Sequence, residues 1–153
     1  LSRGLGDVYK RQVTNTATVS GTGITPVTAA ETVNAEAAPN LAITKSVSPV
    51  PVTENGTLTY TFRIQNYGSV AATNTTGVVI TDTFAPVLNN LTAALNGTAW
   101  TAATDYTYNE ATGTFSSTAG AITVPAATYT QDSTTGAWVV TPGESTLVIT
   151  GTV

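Results

Sequence analysis

Residues 57–64 read Thr-Leu-Thr-Tyr-Thr-Phe-Arg-Ile, and Leu58, Tyr60, Phe62 and Ile64 place an apolar side chain at every second position. Successive side chains of a strand point to opposite faces, so this alternation describes a strand buried on one face and solvated on the other. The intervening threonines are β-branched and suit the wet side of a pleated surface. Working outward, Asn55-Gly56 marks a turn before the strand. Upstream of it Leu41, Ile43 and Val47 alternate with polar residues until Pro49 and Pro51, which cannot donate to a ladder, end the run. Downstream, Val78–Phe84 reads as a strand. Leu91–Leu95 and Ala99–Thr101 flank Asn96-Gly97, a hairpin signal because a type I′ turn needs positive φ at both central residues. Shorter strands are expected around Tyr106 and Tyr108, Phe115, and Ile122 to Val124. Trp138–Val140 precedes Pro142-Gly143, which suits a type II turn, and Leu147, Ile149 and Val153 alternate in a last strand. No stretch keeps a 3.6-residue apolar period. The pattern predicts an all-β, antiparallel β-sandwich.

Composition agrees. Of 153 residues only 9% are charged while 41% are hydrophobic, so polarity comes from Thr, Asn, Ser and Gly rather than from the charge typical of disordered chains. There is no Cys, His or Met. That removes disulfides, thiol nucleophiles, imidazole bases and the usual Ser-His-Asp arrangement. A net charge of −4 without a basic patch makes nucleic acid a poor partner. No apolar run approaches the ~20 residues of a membrane-spanning helix, so no membrane insertion is expected.

Residues 39–84, PNLAITKSVSPVPVTENGTLTYTFRIQNYGSVAATNTTGVVITDTF, carry Lys45-Ser46, Gly56 to Tyr60, Asn66-Tyr67-Gly68 and Ile80-Thr81-Asp82. In these motifs the chain resembles the conserved surface repeat of bacteria and archaea known as domain of unknown function eleven. Pro142-Gly143-Glu144 resembles the turn before that family's penultimate strand, and Asn15 to Val19 its closing strand, whereas residues 96–136 depart from it. The resemblance implies an immunoglobulin-like sandwich, tandem repetition and display on the cell envelope, with no activity assigned.

Ser2 to Gln12, SRGLGDVYKRQ, holds three of the five basic residues and breaks sharply in composition from the rest of the chain. It resembles, residue for residue, one reading frame of a transposase adapter used in sequencing libraries. It lacks the apolar stretch of a signal peptide. The expected organisation is therefore a disordered adapter-like segment over 1–12, a closing strand of a preceding repeat plus a linker over 13–38, and a sandwich over 39–153. Because the last strand seen resembles a penultimate one, the sandwich is expected to lack its own closing strand. The vacant edge beside Leu147–Val153 would then be open to Val13–Val19.

Candidate chemistry is sparse. No catalytic, cofactor-binding or metal-binding residues are assigned, and no cofactor is expected. The eight carboxylates after residue 12 are spread along the chain, without the clustered oxygens that calcium wants. Gly21-Thr22-Gly23 lacks the helix and third glycine of a phosphate loop. Trp100, Tyr106, Tyr108 and Trp138 are candidates for a sugar-stacking platform, since aromatic faces combine apolar area with a polar edge; the plainer reading is core. Lys45, Asp82 and Asn15 are candidates for an isopeptide bond, with a first-strand lysine, a middle-strand acid and a closing-strand asparagine. The plainer reading is a lysine whose stem packs while its ammonium reaches water. The expected role is a non-enzymatic structural spacer of a secreted, extracellular protein of the bacterial cell surface or cell wall, with neighbouring repeats as partners. The alternative is an adhesive module for glycan or host protein.

Overall fold

The computed structural model describes residues 11–35 and 37–153. The chain divides into two compact units at the expected boundary, with the second running Pro39–Val153.

The first unit is a hairpin of β1 (Arg11–Gly21) and β2 (Ile24–Ala35), paired antiparallel from Arg11↔Ala35 to Val19↔Val27. This corrects two expectations. The stretch read as a linker after Gly21 is a strand: Gly23, with φ of 79°, makes the reversal, and Pro26 is tolerated because a two-stranded sheet has only edge strands. Arg11 and Gln12, set aside with the adapter-like segment, belong to β1, since a backbone ladder extends as far as its partner strand does. Residues 1–10 of that segment lie outside the described residues.

The second unit is an all-β sandwich of immunoglobulin-like character. One sheet has five strands in the order β3 (Leu41–Ser48), β4 (Thr57–Asn66), β12 (Gly143–Thr152), β6 (Asn89–Leu95) and β7 (Thr98–Ala99). The other has three, in the order β5 (Thr81–Thr83), β9 (Thr114–Ser117) and β8 (Tyr106–Asn109). A separate hairpin joins β10 (Thr128–Gln131) to β11 (Trp138–Thr141). The even-numbered residues of β4 are buried as their alternation predicts, and Leu147 and Ile149 of β12 lie beside them at zero exposure. Phe84, Phe115, Ile122 and Val124 complete the core from the other side. Asn96 and Gly97 both have positive φ, as the predicted hairpin turn requires.

Three local readings change. Only Thr81–Thr83 of the Val78–Phe84 stretch pairs as a strand. Pro142-Gly143 is no turn: β11 passes almost directly into β12, and Gly143 is needed because a Cβ there would meet the Pro125 carbonyl oxygen at 2.0 Å. Most consequentially, β12 is not an edge. It pairs with β4 along its whole length and with β6 on its other side, so the vacancy expected beside Leu147–Val153 does not exist. The expected docking of Val13–Val19 there fails with it, and that segment pairs with β2 instead.

Phe62 is 3% exposed at the middle of β4. Phe62→Ala is expected to cost about 3–5 kcal/mol through lost burial and the cavity left behind, read as a lowered urea midpoint at unchanged slope.

Candidate functional site

The sequence candidates Lys45 and Asp82 meet. Lys45 lies opposite Phe62 in the β3–β4 register, so it projects on the inner face. Asp82 is the middle residue of β5. The Lys45 ammonium donates to Asp82 Oδ2, linking the margin of one sheet to the margin of the other, while Asp82 Oδ1 accepts from the Thr83 amide at 2.9 Å. The ammonium also sits 4.8 Å from the Tyr60 ring centroid, 5.3 Å from Phe84 and 5.5 Å from Phe62. The ammonium therefore lies over aromatic faces as well as beside the carboxylate, while the Lys45 side chain stays 40% exposed. An exposed ion pair contributes at most about 1 kcal/mol, and the aromatic contact adds about 0.5–1 kcal/mol. Asn15, the third isopeptide candidate, is on β1 opposite Glu31, in the other unit. Two of the three residues come together.

Of the four candidate aromatics, Tyr106 lies in the core with Trp100 and Tyr108 packed against it, and Trp138 is apart from them. Tyr106 is buried, with Trp100 stacked at 6.5 Å on one side and Phe115 at 5.4 Å on the other. Tyr108 meets Phe84 edge-on, and its hydroxyl both accepts from the Leu88 amide and donates to the Leu88 carbonyl. Burying this apolar area favours the small sandwich, and the Tyr106 hydroxyl donates to the Leu91 carbonyl at 3.4 Å as the Tyr108 hydroxyl does to that of Leu88. Trp138 alone is open to solvent, 40% exposed on β11.

The most completely engaged polar side chain is one that the sequence reading takes only as part of the Asn66-Tyr67-Gly68 motif. Asn66 has zero exposure at the end of β4. Its Oδ1 accepts from the Asn40 and Gly68 amides, each at 2.9 Å, and its Nδ2 donates to the Val70 carbonyl at 2.8 Å and the Pro125 carbonyl at 3.0 Å. One amide thus holds the start of β3, the turn after β4 and the segment before β10. The available signal is parity: Asn66 continues the inward row of Leu58, Tyr60, Phe62 and Ile64.

Three other acids also serve structure. Asp132 accepts from the Thr134 and Thr135 amides, and Glu144 binds Arg63 and Gln65. Both carboxyls are held below the usual carboxylate range, Asp132 by the Thr135 and Thr134 amides and Glu144 by hydrogen bonds from Arg63 and then Gln65. Asp105 accepts from the Thr101 amide at 2.8 Å. Among the described residues no three acidic side chains gather in a metal-binding group.

Comparison with known families, curated proteins and solved structures returned no match.

Asn66→Ala is expected to leave several buried backbone groups unpaired at about 1–3 kcal/mol each, a larger loss in chemical denaturation than any exposed ion pair here supplies. A folded pKa below the unfolded value gives stability present above the unfolded pKa and lost as pH falls through the folded one. Carboxyl carbon NMR of Glu144 and Asp132 should therefore show midpoints below those of model peptides. Melting temperature should fall on acidification through that window, less steeply in Glu144→Gln.

Proposed function

We propose that the sandwich is a non-catalytic spacer repeat of a secreted bacterial surface protein, stacking in tandem to project or build a structure on the cell envelope. One observation carries the reading: the start of β3 and the end of β12 lie at opposite ends of β4. Leu41, the first residue of β3, pairs with Asn66 at one end of β4, and Thr152, near the end of β12, pairs with Thr57 at the other. Entry and exit lie at opposite poles, separated by ten residues of β4, about 33 Å at the rise of a strand. A unit wired this way passes the chain along its long axis, so copies joined in series extend rather than fold back. The commitment of Lys45, Arg63, Asp82 and Glu144 to ties between strands, and of Trp100, Tyr106 and Tyr108 to the core, supports the same reading. Neighbouring repeats are the partners, outside the cell at the surface or wall.

A second reading has its own observation. Trp138 shares one face of the β10–β11 hairpin with Tyr129 and Val140, in the cross-strand register Gln131↔Trp138 and Tyr129↔Val140. An exposed indole beside a tyrosine is what an adhesive module for glycan or protein would present.

Two or three copies of residues 39–153 joined in series should give a maximum dimension in small-angle scattering that rises by about 30 Å or more per copy. A dimension that stays constant while mass grows would reject the spacer. Glycan-array binding by the single chain that disappears in Trp138→Ala would favour the adhesive reading instead.

A further inference from the structure

The five-stranded sheet ends on one side at β3, and all eight residues of that strand are exposed. They include Leu41, Ile43 and Val47, at 37%, 53% and 39%. Among the described residues β3 pairs only with β4. The phase of that pairing decides which backbone groups are left over. The Tyr67 amide donates to the Asn40 carbonyl, in the same register that runs from Leu41↔Asn66 to Ser48↔Thr59. Hydrogen-bonded and non-hydrogen-bonded rungs alternate along an antiparallel pair, so Ala42, Thr44, Ser46 and Ser48 direct their backbone groups at β4. Leu41, Ile43, Lys45 and Val47 turn theirs outward, to the rim of the sheet. The next ladder has the matching phase: the Val153 amide donates to the Gly56 carbonyl, which commits the even-numbered residues of β4 to β12 and the odd-numbered ones to β3.

A bare rim of this kind is a template for further pairing unless something blocks it. β3 contains no proline and its register has no bulge. Its only charge, Lys45, is balanced by Asp82 of the same chain. The strand is also its own complement. Two copies of β3 laid antiparallel must keep inner face beside inner face, which restricts the register to steps of two. With Thr44 opposite Thr44 of the second copy, Leu41 meets Val47 and Ile43 meets Lys45. Counting their two-fold mates, this makes four hydrogen-bonded rungs, all from the groups that face the rim. Setting Ile43 or Lys45 opposite itself leaves three such rungs, and the second choice also places two ammonium groups face to face. The Thr44 register keeps the lysines on a diagonal. It lays the exposed Leu41, Ile43 and Val47 of the two copies side by side.

We propose that two copies of this chain associate edge to edge through β3, about a two-fold axis at Thr44, so that their five-stranded sheets become one sheet of ten. The same surface serves both copies, so the contact closes at two. It consists of a backbone ladder with a narrow apolar strip, and the association is correspondingly weak. Only the sandwich takes part. The inference stands apart from the spacer reading, which concerns copies joined in series: the scattering of joined sandwiches can fail while this holds, and the reverse.

The test is sedimentation velocity of the full chain from micromolar to millimolar concentration, with a monomer–dimer equilibrium that goes no further as the expected result. Ile43→Pro removes an amide that faces the rim and takes no part in the β3–β4 ladder, so it should fold, as circular dichroism can check, and remain monomeric. The register is read separately by cysteine cross-linking, since the chain has no cysteine of its own. Thr44→Cys and Ser46→Cys both change exposed residues on the outer face of β3. Directly opposed residues of a non-hydrogen-bonded rung stand about 4.5 Å apart at Cα, within disulfide reach. Thr44→Cys should therefore give a disulfide-linked dimer under mild oxidation at least tenfold faster than Ser46→Cys, which faces Ala42. A chain that stays monomeric throughout overturns the proposal, as does a mass that climbs past the dimer. So does an Ile43→Pro variant that folds and still dimerises, or cross-linking no faster at residue 44 than at 46. Protection of the Ile43 and Val47 amides from hydrogen exchange in dilute monomer would overturn it too, since the chain's own residues would then cover the rim. If Ile43→Pro does not fold, the cross-linking rates decide.

Discussion

The sandwich depends on one ladder, the antiparallel pairing of β4 with β12, ten rungs from Thr57↔Thr152 to Asn66↔Gly143. These are the longest strands of the sandwich, separated in sequence by some eighty residues. Their inner faces supply Leu58, Tyr60, Phe62, Ile64, Leu147 and Ile149, the apolar floor on which the smaller sheet sits. β3 and β6 are hung on its two sides, and the β10–β11 hairpin immediately precedes its second strand. Burial of this floor is the main favourable term available to a chain with so few charges and no cross-links. It is also a non-local contact, so the fold forms only after a long loop has closed.

How much of this is legible in the sequence depends on whether burial and period agree. β4 is plain because its inward residues really are buried and its outward ones polar. β3 shows the same alternation, yet all eight of its residues are exposed, so its pattern foretells a strand but not its exposure. β2 is hidden by Gly21 and Gly23 just before it and by Pro26 within it, residues that read as breakers, although an isolated hairpin can carry proline on either strand. The central place of β12 cannot be read locally, because strand order is set by pairings across most of the chain. Gly143 is misread for a related reason: its necessity lies in the approach of Pro125, a contact no turn rule encodes.

The candidate site is legible in part, and the division is physical. Lys45 and Asp82 pair because one marks the first strand and the other a middle strand, which a sandwich brings face to face, whereas the plainer sequence reading leaves the ammonium to water. The aromatics stay open between two readings, since composition cannot distinguish rings that line a core from rings that line a surface. Asn66 is underread because an asparagine near a glycine resembles an ordinary turn residue, whereas its inward parity makes it the knot of three loops. Polar residues in this chain mostly bind their own backbone, as a buried amide must when no water can replace its partners.

The poles at which the chain enters and leaves have a mechanical consequence. β3 and β12 each run antiparallel to β4, so they run parallel to one another with β4 between them. Tension applied through the two ends draws β3 out at one pole and β12 out at the other. The hydrogen bonds of an antiparallel ladder lie across the strand axis. Such a pull therefore loads the eight rungs of β3–β4 and the ten of β4–β12 sideways and together, rather than opening them one after another from an end. A hairpin pulled apart from its open end yields at the force of a single rung. This sandwich, pulled from Leu41 and Thr152, yields only when a whole row gives way.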